Sequence, residues 1–119
     1  MQLQDKVVLV TGGAIGIGQA TVRAFAKQGA VVIINYNRSK KEAEQLVKEL
    51  NSTGSRCLAI KADVSKESDI KEMFEQIIKE FETIDVLVNN AGYSNGENFL
   101  TGTRKLWLDQ LTNNFLSIV

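Results

Sequence analysis

A chain of 119 residues has the length of a single domain, and 44% hydrophobic with 24% charged residues is the composition of a folded globular chain rather than a disordered one. Fourteen basic and fourteen acidic residues cancel, so no overall field draws the molecule to nucleic acid or to an anionic membrane surface. Histidine is absent and cysteine occurs once, at Cys57, which excludes Ser-His-Asp and Cys-His nucleophiles, imidazole-ligated metals and an internal disulfide.

Short β-branched runs alternate with longer segments of helical periodicity, the pattern of βαβ units around a parallel sheet. Strands are predicted at Val7 to Val10, Val31 to Ile34, Cys57 to Ile60 and Ile84 to Val88, and their near-continuous apolar character suits strands covered on both faces. In the first helix Ile17, Ala20, Ala24 and Phe25 form a stripe that stops at Gly29. In the second, Ser39 and Glu42 have capping-box spacing, Ala43, Leu46, Val47 and Leu50 share a face, and Gly54 closes the segment. The third carries Ile70, Met73, Phe74, Ile77, Ile78 and Phe81 on one face, with Ser65 as the expected N-cap. A polar stretch from Tyr93 to Thr103 precedes a last helical pattern through Trp107, Leu111, Phe115 and Ile118. No proline, linker or repeat divides the chain, so residues 1–119 read as one domain. With no signal core at the start and apolar runs far below the roughly 18 residues of a membrane span, a cytoplasmic protein with no membrane partner is expected.

The first strand runs into Thr11-Gly12-Gly13-Ala14-Ile15-Gly16-Ile17-Gly18 and then into a helix. Glycines let the backbone turn sharply and approach a ligand, while the helix N-terminus offers unpaired N–H groups and the positive end of a dipole. The spacing is G-x-x-x-G-x-G, from Gly12, Gly16 and Gly18. It is neither G-x-G-x-x-G nor a P-loop.

These residues, with Asp63-Val64 after the third strand and Asn89-Asn90-Ala91-Gly92 after the fourth, resemble the short-chain dehydrogenase/reductase family. The resemblance covers the whole chain and corresponds to the N-terminal half of that family, whose members are about twice as long. It implies a Rossmann-type doubly wound α/β sheet, here four strands in the order 3-2-1-4 of a family sheet 3-2-1-4-5-6-7. It also implies that main-chain groups from Gly12 to Gly18, Ile15 and Ile17 among them, hold a dinucleotide pyrophosphate. Asp63, with Val64, would meet the adenine, and Asn90, Ala91 and Gly92 would line the adenosine ribose. Beside this, Asp63 on its own also reads as a turn or cap aspartate before Ser65, and the Asn89 to Gly92 segment as a strand-ending turn.

A ribose with free hydroxyls is normally held by a carboxylate about 20 residues beyond the glycine turn, and a 2′-phosphate by a basic residue nearby. The segment Asn35-Tyr36-Asn37-Arg38-Ser39-Lys40-Lys41 has no carboxylate before Glu42, whereas Arg38, beside Ser39, offers a planar fork suited to phosphate. NADP(H) is therefore expected over NAD(H), although Ile15 stands where many NADP-preferring relatives carry a basic residue.

The family's catalysis uses a tyrosine and a lysine one helical turn apart, a serine that orients the carbonyl, and an asparagine in a proton relay. Only the asparagine has a counterpart, Asn114, seven residues after Trp107. Tyr36 and Lys40 have Y-x-x-x-K spacing but straddle the Ser39 cap, so they do not stack on one helix and are rejected as the catalytic pair. The resemblance thus implies hydride transfer between NADP(H) and a small-molecule carbonyl or alcohol, in a homo-oligomer, commonly a tetramer, with this chain supplying cofactor binding. The alternative is a non-catalytic nucleotide-binding module or inactive truncated chain, in which the apolar strand Ile84 to Val88 would be an association-prone edge.

Overall fold

The computed structural model of the chain describes residues 2–92. Asn114, the Tyr93 to Thr103 stretch and the helical pattern from Trp107 to Ile118 lie outside the described residues. The four apolar runs form strands Val7–Val10 (β1), Val31–Tyr36 (β2), Arg56–Lys61 (β3) and Val86–Val88 (β4), joined by helices Gly16–Lys27 (α1), Lys40–Ser52 (α2) and Glu67–Phe81 (α3). The strands are parallel, in the order β3-β2-β1-β4, with Val8 opposite both Val32 and Val86. The parallel sheet is the one expected from the alternation of elements, and its Rossmann-type strand order is the one the family resemblance implies.

Successive strand side chains point to opposite faces, and both faces are covered. Val8, Val10, Val32 and Ile34 pack beneath α1 and α2 against Val22, Ala26, Ala43, Leu46 and Leu50. Leu9, Ile33 and Ile60 pack on the other side against Met73 and Ile77 of α3. Leu46 and Ile77 are fully buried, and withdrawing each from water contributes roughly 1.5–3 kcal/mol. Coverage is complete only for β1 and β2; β3 is partly buried and Leu87 of β4 is exposed on the α3 side.

Three expectations need correction. The face of α1 that enters the core is Gly18, Val22 and Ala26, with Phe25 half-buried, whereas Ile17, Ala20 and Ala24 are exposed. The cause is steric. A Cβ at Gly18 would run into the carbonyl oxygen of Gly12, so the helix can rest on the preceding turn only along its side chain-free edge. Second, the N-cap position of α3 is Lys66, which makes no side-chain cap bond, and not Ser65, because the Asp63 carboxylate captures Ser65 through both its N–H and its hydroxyl and draws it out of the helix. Third, β4 is shorter than its apolar run. Asp85 stands before it as an anchor, its carboxylate accepting from Val7 N–H at 2.8 Å and its own N–H donating to Val7 O at 2.9 Å. Ser39 does occupy the N-cap of α2, but its side chain makes no cap bond; Ala43 N–H donates to the Ser39 carbonyl instead.

Replacing Gly18 by alanine is expected to destabilise the fold by about 1–3 kcal/mol through overpacking, despite the ~1 kcal/mol that alanine's helix propensity would otherwise add. Urea unfolding measures this, and an unchanged or raised midpoint would contradict the close approach. A second expectation concerns Cys57 on β3. Burial pushes its thiol up to about 11 from 9.0, only partly opposed by a hydrogen bond from the Val32 backbone. Between those pH values the unfolded chain loses a proton that the folded chain keeps, so stability falls as pH rises through that window. Melting curves should therefore show a steeper loss above pH 9 for the wild type than for Cys57→Ala.

Candidate functional site

All four strands point their C-terminal ends at one cleft of about 620 Å³, the position at which open parallel sheets bind ligands. At the end of β1 the chain turns through Gly12, whose φ of +62° and closeness to Ala91 leave no room for a side chain. Gln19 braces the turn by donating from Nε2 to the Ala14 carbonyl at 2.9 Å. The helix α1 then begins at Gly16. Its N-cap, Ile15, has no side-chain acceptor and its first turn has no carboxylate, so the first-turn N–H groups and the positive dipole end stand available to an anion. Ile15 and Ile17 are largely exposed at the mouth of the cleft, unusual for isoleucines and consistent with a wall meant to be covered.

Two polar side chains fasten this turn to its neighbours. The Thr11 hydroxyl accepts from the N–H groups of Asn90 and Ala91, both at 3.0 Å, and donates to the Val88 carbonyl at 3.3 Å. In return, Asn90 Nδ2 donates to the carbonyls of Thr11 and Gly12, each at 3.0 Å. On the other side stands Asn35, the penultimate residue of β2 and only 2% exposed. Its Oδ1 accepts from Gly12 N–H at 3.2 Å, its carbonyl accepts from Gly13 N–H at 2.9 Å, and its Nδ2 donates to the Ala62 carbonyl at 3.0 Å.

Asp63 follows directly. Its N–H donates to Asp69 of the first turn of α3 at 2.9 Å, while its Oδ1 takes both Ser65 donors, the hydroxyl at 2.6 Å and the N–H at 2.9 Å. The Ser65 hydroxyl bond holds the Asp63 carboxyl below its ordinary value, against partial desolvation and with help from the Ser65 N–H, Lys66 and Arg38. Asp63 is thus ionised throughout the neutral range, and Oδ2 has no hydrogen-bond partner among the described residues. The turn reading of Asp63 and an acceptor role are compatible, because each uses a different oxygen.

The cleft brings together Gly12, Ile15, Ile17, Arg38, Ser39, Asp63, Val64, Asn90, Ala91 and Gly92 of the sequence-predicted residues. Gly16 and Gly18 do not line it; they shape the helix start behind it. Asn114 lies outside the described residues. Tyr36 ends β2 and Lys40 opens α2, so the rejected Tyr-Lys pair is indeed split between a strand and a helix. Lys40 instead lies 3.9 Å from Glu44, and Arg38 forms no ion pair with the described residues. Sequence reasoning passed over Thr11 and Asn35. The available signal was a polar residue closing each of the two most apolar strand runs.

Comparison with known proteins agrees with this geometry. The family model described as short chain dehydrogenase matches residues 6–119. The short-chain dehydrogenase/reductase homolog YusS of Bacillus subtilis (strain 168) is 47% identical over 91 residues, which make up 76% of this chain and 84% of that protein. Among solved structures, a short chain dehydrogenase from Burkholderia cenocepacia J2315 in complex with NADP matches with a TM-score of 0.90 and 32% identity, over 99% of this chain and 48% of the other. A blue fluorescent protein from a metagenomic library, in complex with NADPH, matches with a TM-score of 0.87 and 36% identity, over 98% of this chain and 48% of that one. The chain thus spans about half the length of these solved relatives. The parallel sheet, the glycine turn and the extent of the match together show that the chain belongs to the short-chain dehydrogenase family of oxidoreductases.

Proposed function

We propose that this chain binds NADP(H) through its adenosine half and serves hydride transfer between that cofactor and a small carbonyl or alcohol. The observation that carries the choice of NADP(H) is Arg38, a guanidinium in the wall of the cleft just beyond β2, with no carboxylate in the segment from Asn35 to Lys41. The donor set fits such a ligand: first-turn N–H groups without a competing carboxylate for the diphosphate, and a guanidinium for the 2′-phosphate. Gly12, Ile15, Gly16, Ile17 and Gly18 would cradle the diphosphate, and Arg38 with Ser39 would hold the 2′-phosphate. Asp63 Oδ2, beside Val64, would accept from the adenine amino group. Asn90, Ala91 and Gly92 would line the ribose. When bound, the nicotinamide supplies the hydride; the protein's part is to hold and orient it. Asn114 would belong to the proton relay, and the assembly would be a homo-oligomer, a tetramer by family likeness.

Arg38→Asp is expected to weaken NADPH by roughly tenfold to a hundredfold, the loss of a charge-assisted contact of about 1.5–3 kcal/mol, while NADH is spared. Equal NADPH dissociation constants for wild type and variant, by fluorescence titration, would refute the assignment. Asp63→Ala should instead weaken NADH and NADPH alike, because both carry the same base. The pH dependence separates the two contacts. Asp63 stays ionised and the chain has no histidine, whereas a phosphate monoester gains a proton near pH 6. NADPH affinity should therefore drop as pH falls through about 6, and NADH affinity should stay level.

A further inference from the structure

We infer that Asn35 is a positioning residue that ties the diphosphate-facing turn to the loop carrying Asp63, so that the two ends of the adenosine site are set by one side chain. The inference rests on the dinucleotide reading above. Asn35 is buried, sits at the end of the otherwise apolar run Val31 to Ile34, and lies at the floor of the cleft. An aliphatic residue would satisfy that environment if packing alone mattered.

The amide group instead divides its two ends between two loops. Its Oδ1 accepts from Gly12 N–H at 3.2 Å, while the Asn35 main-chain carbonyl accepts from Gly13 N–H, so two consecutive N–H groups of the glycine turn are held by one residue. Its Nδ2 donates to the Ala62 carbonyl at 3.0 Å, with the Ile60 carbonyl at 3.4 Å as a weaker second acceptor. The Ala62 carbonyl belongs to the same peptide plane as the Asp63 N–H, which Asp69 holds at 2.9 Å from the other end. That plane is therefore gripped at both edges, by Asn35 and by Asp69, and the direction in which the Asp63 side chain leaves the backbone is fixed by the grip.

A buried asparagine needs both ends of its amide satisfied, and it cannot rotate to improve one bond without breaking the other. A shift of the glycine turn is consequently passed to Asp63, and the reverse. Asn35 acts on the ligand site through the glycine turn and the loop that carries Asp63.

The test is a double-mutant cycle on the purified chain, with NADPH dissociation constants referred to the folded fraction from a melting curve. Asn35→Leu keeps the branched shape and heavy-atom count and removes both side-chain bonds, and is expected to weaken NADPH about tenfold per folded molecule. Added to Asp63→Ala, it should weaken binding by at least about threefold less than the product of the single effects. If Asn35→Leu does not fold, Asn35→Ser, whose hydroxyl is too short to span the two loops, carries the same expectation. Lowered melting temperature with an unchanged NADPH constant would make Asn35 merely structural and overturn the inference, as would strictly multiplicative effects in the cycle. A wild-type chain that binds neither NADPH nor NADH would overturn the dinucleotide reading itself, a result distinct from normal binding by the Asn35 variants.

Discussion

Among the described residues only two polar side chains are buried, Thr11 and Asn35, and both stand at the same end of the sheet, Thr11 just after β1 and Asn35 near the end of β2. The rest of the site depends on how their hydrogen bonds are met. A buried hydroxyl or amide left unpaired would cost about 1–3 kcal/mol, so each must find partners, and the groups they meet are backbone groups of the adjoining loops and strand ends. The loops after β1, β3 and β4 are thereby drawn together around the ends of β1 and β2. Apolar packing makes the sheet and its two helical layers; these two side chains turn one edge of it into a shaped cleft.

Charge is arranged to the same end. The first turn of α1 is bare of carboxylates while that of α3 carries Glu67 and Asp69, so two helix starts in one small fold are treated in opposite ways. At α3 the dipole is met internally by side chains, and at α1 it is left for something else. Among the described residues, the arginines away from the cleft are already engaged. Arg23 makes a two-pronged contact with Glu49, and Arg56 pairs with Asp5, at the opposite end of the strands from Arg38.

Much of this was legible in the sequence, because hydrophobic periodicity and glycine placement act locally. The four strands and the three helices follow from runs such as Val7 to Val10 and from the turns that end them, while the cleft residues from Asp63 to Gly92 were marked by the family resemblance. What escaped was decided between segments distant in sequence. The stripe through Ile17, Ala20 and Ala24 is as apolar as the one through Gly18, Val22 and Ala26, and only contact between Gly18 and the Gly12 carbonyl chooses between them. Ser65 has the chemistry of an N-cap, but Asp63 competes for it. Asn35 looks like the first residue of a loop until its partners, 23 and 27 positions away, are known.

The fastening of Thr11 to Asn90 joins residues 79 apart in the chain, about three times the span of either Asn35 contact. Closing the longer loop costs about 1 kcal/mol more in chain entropy, and contacts of such separation form slowly. By loop entropy alone, the Asn35 contacts that join β2 to the glycine turn are the cheaper to close, and the docking of β4 is the costlier. Until β4 arrives, the Gly12 carbonyl lacks the amide that orients it in the native state. On this entropic count the glycine turn is completed late in folding, by the strand that lies farthest along the chain among the described residues.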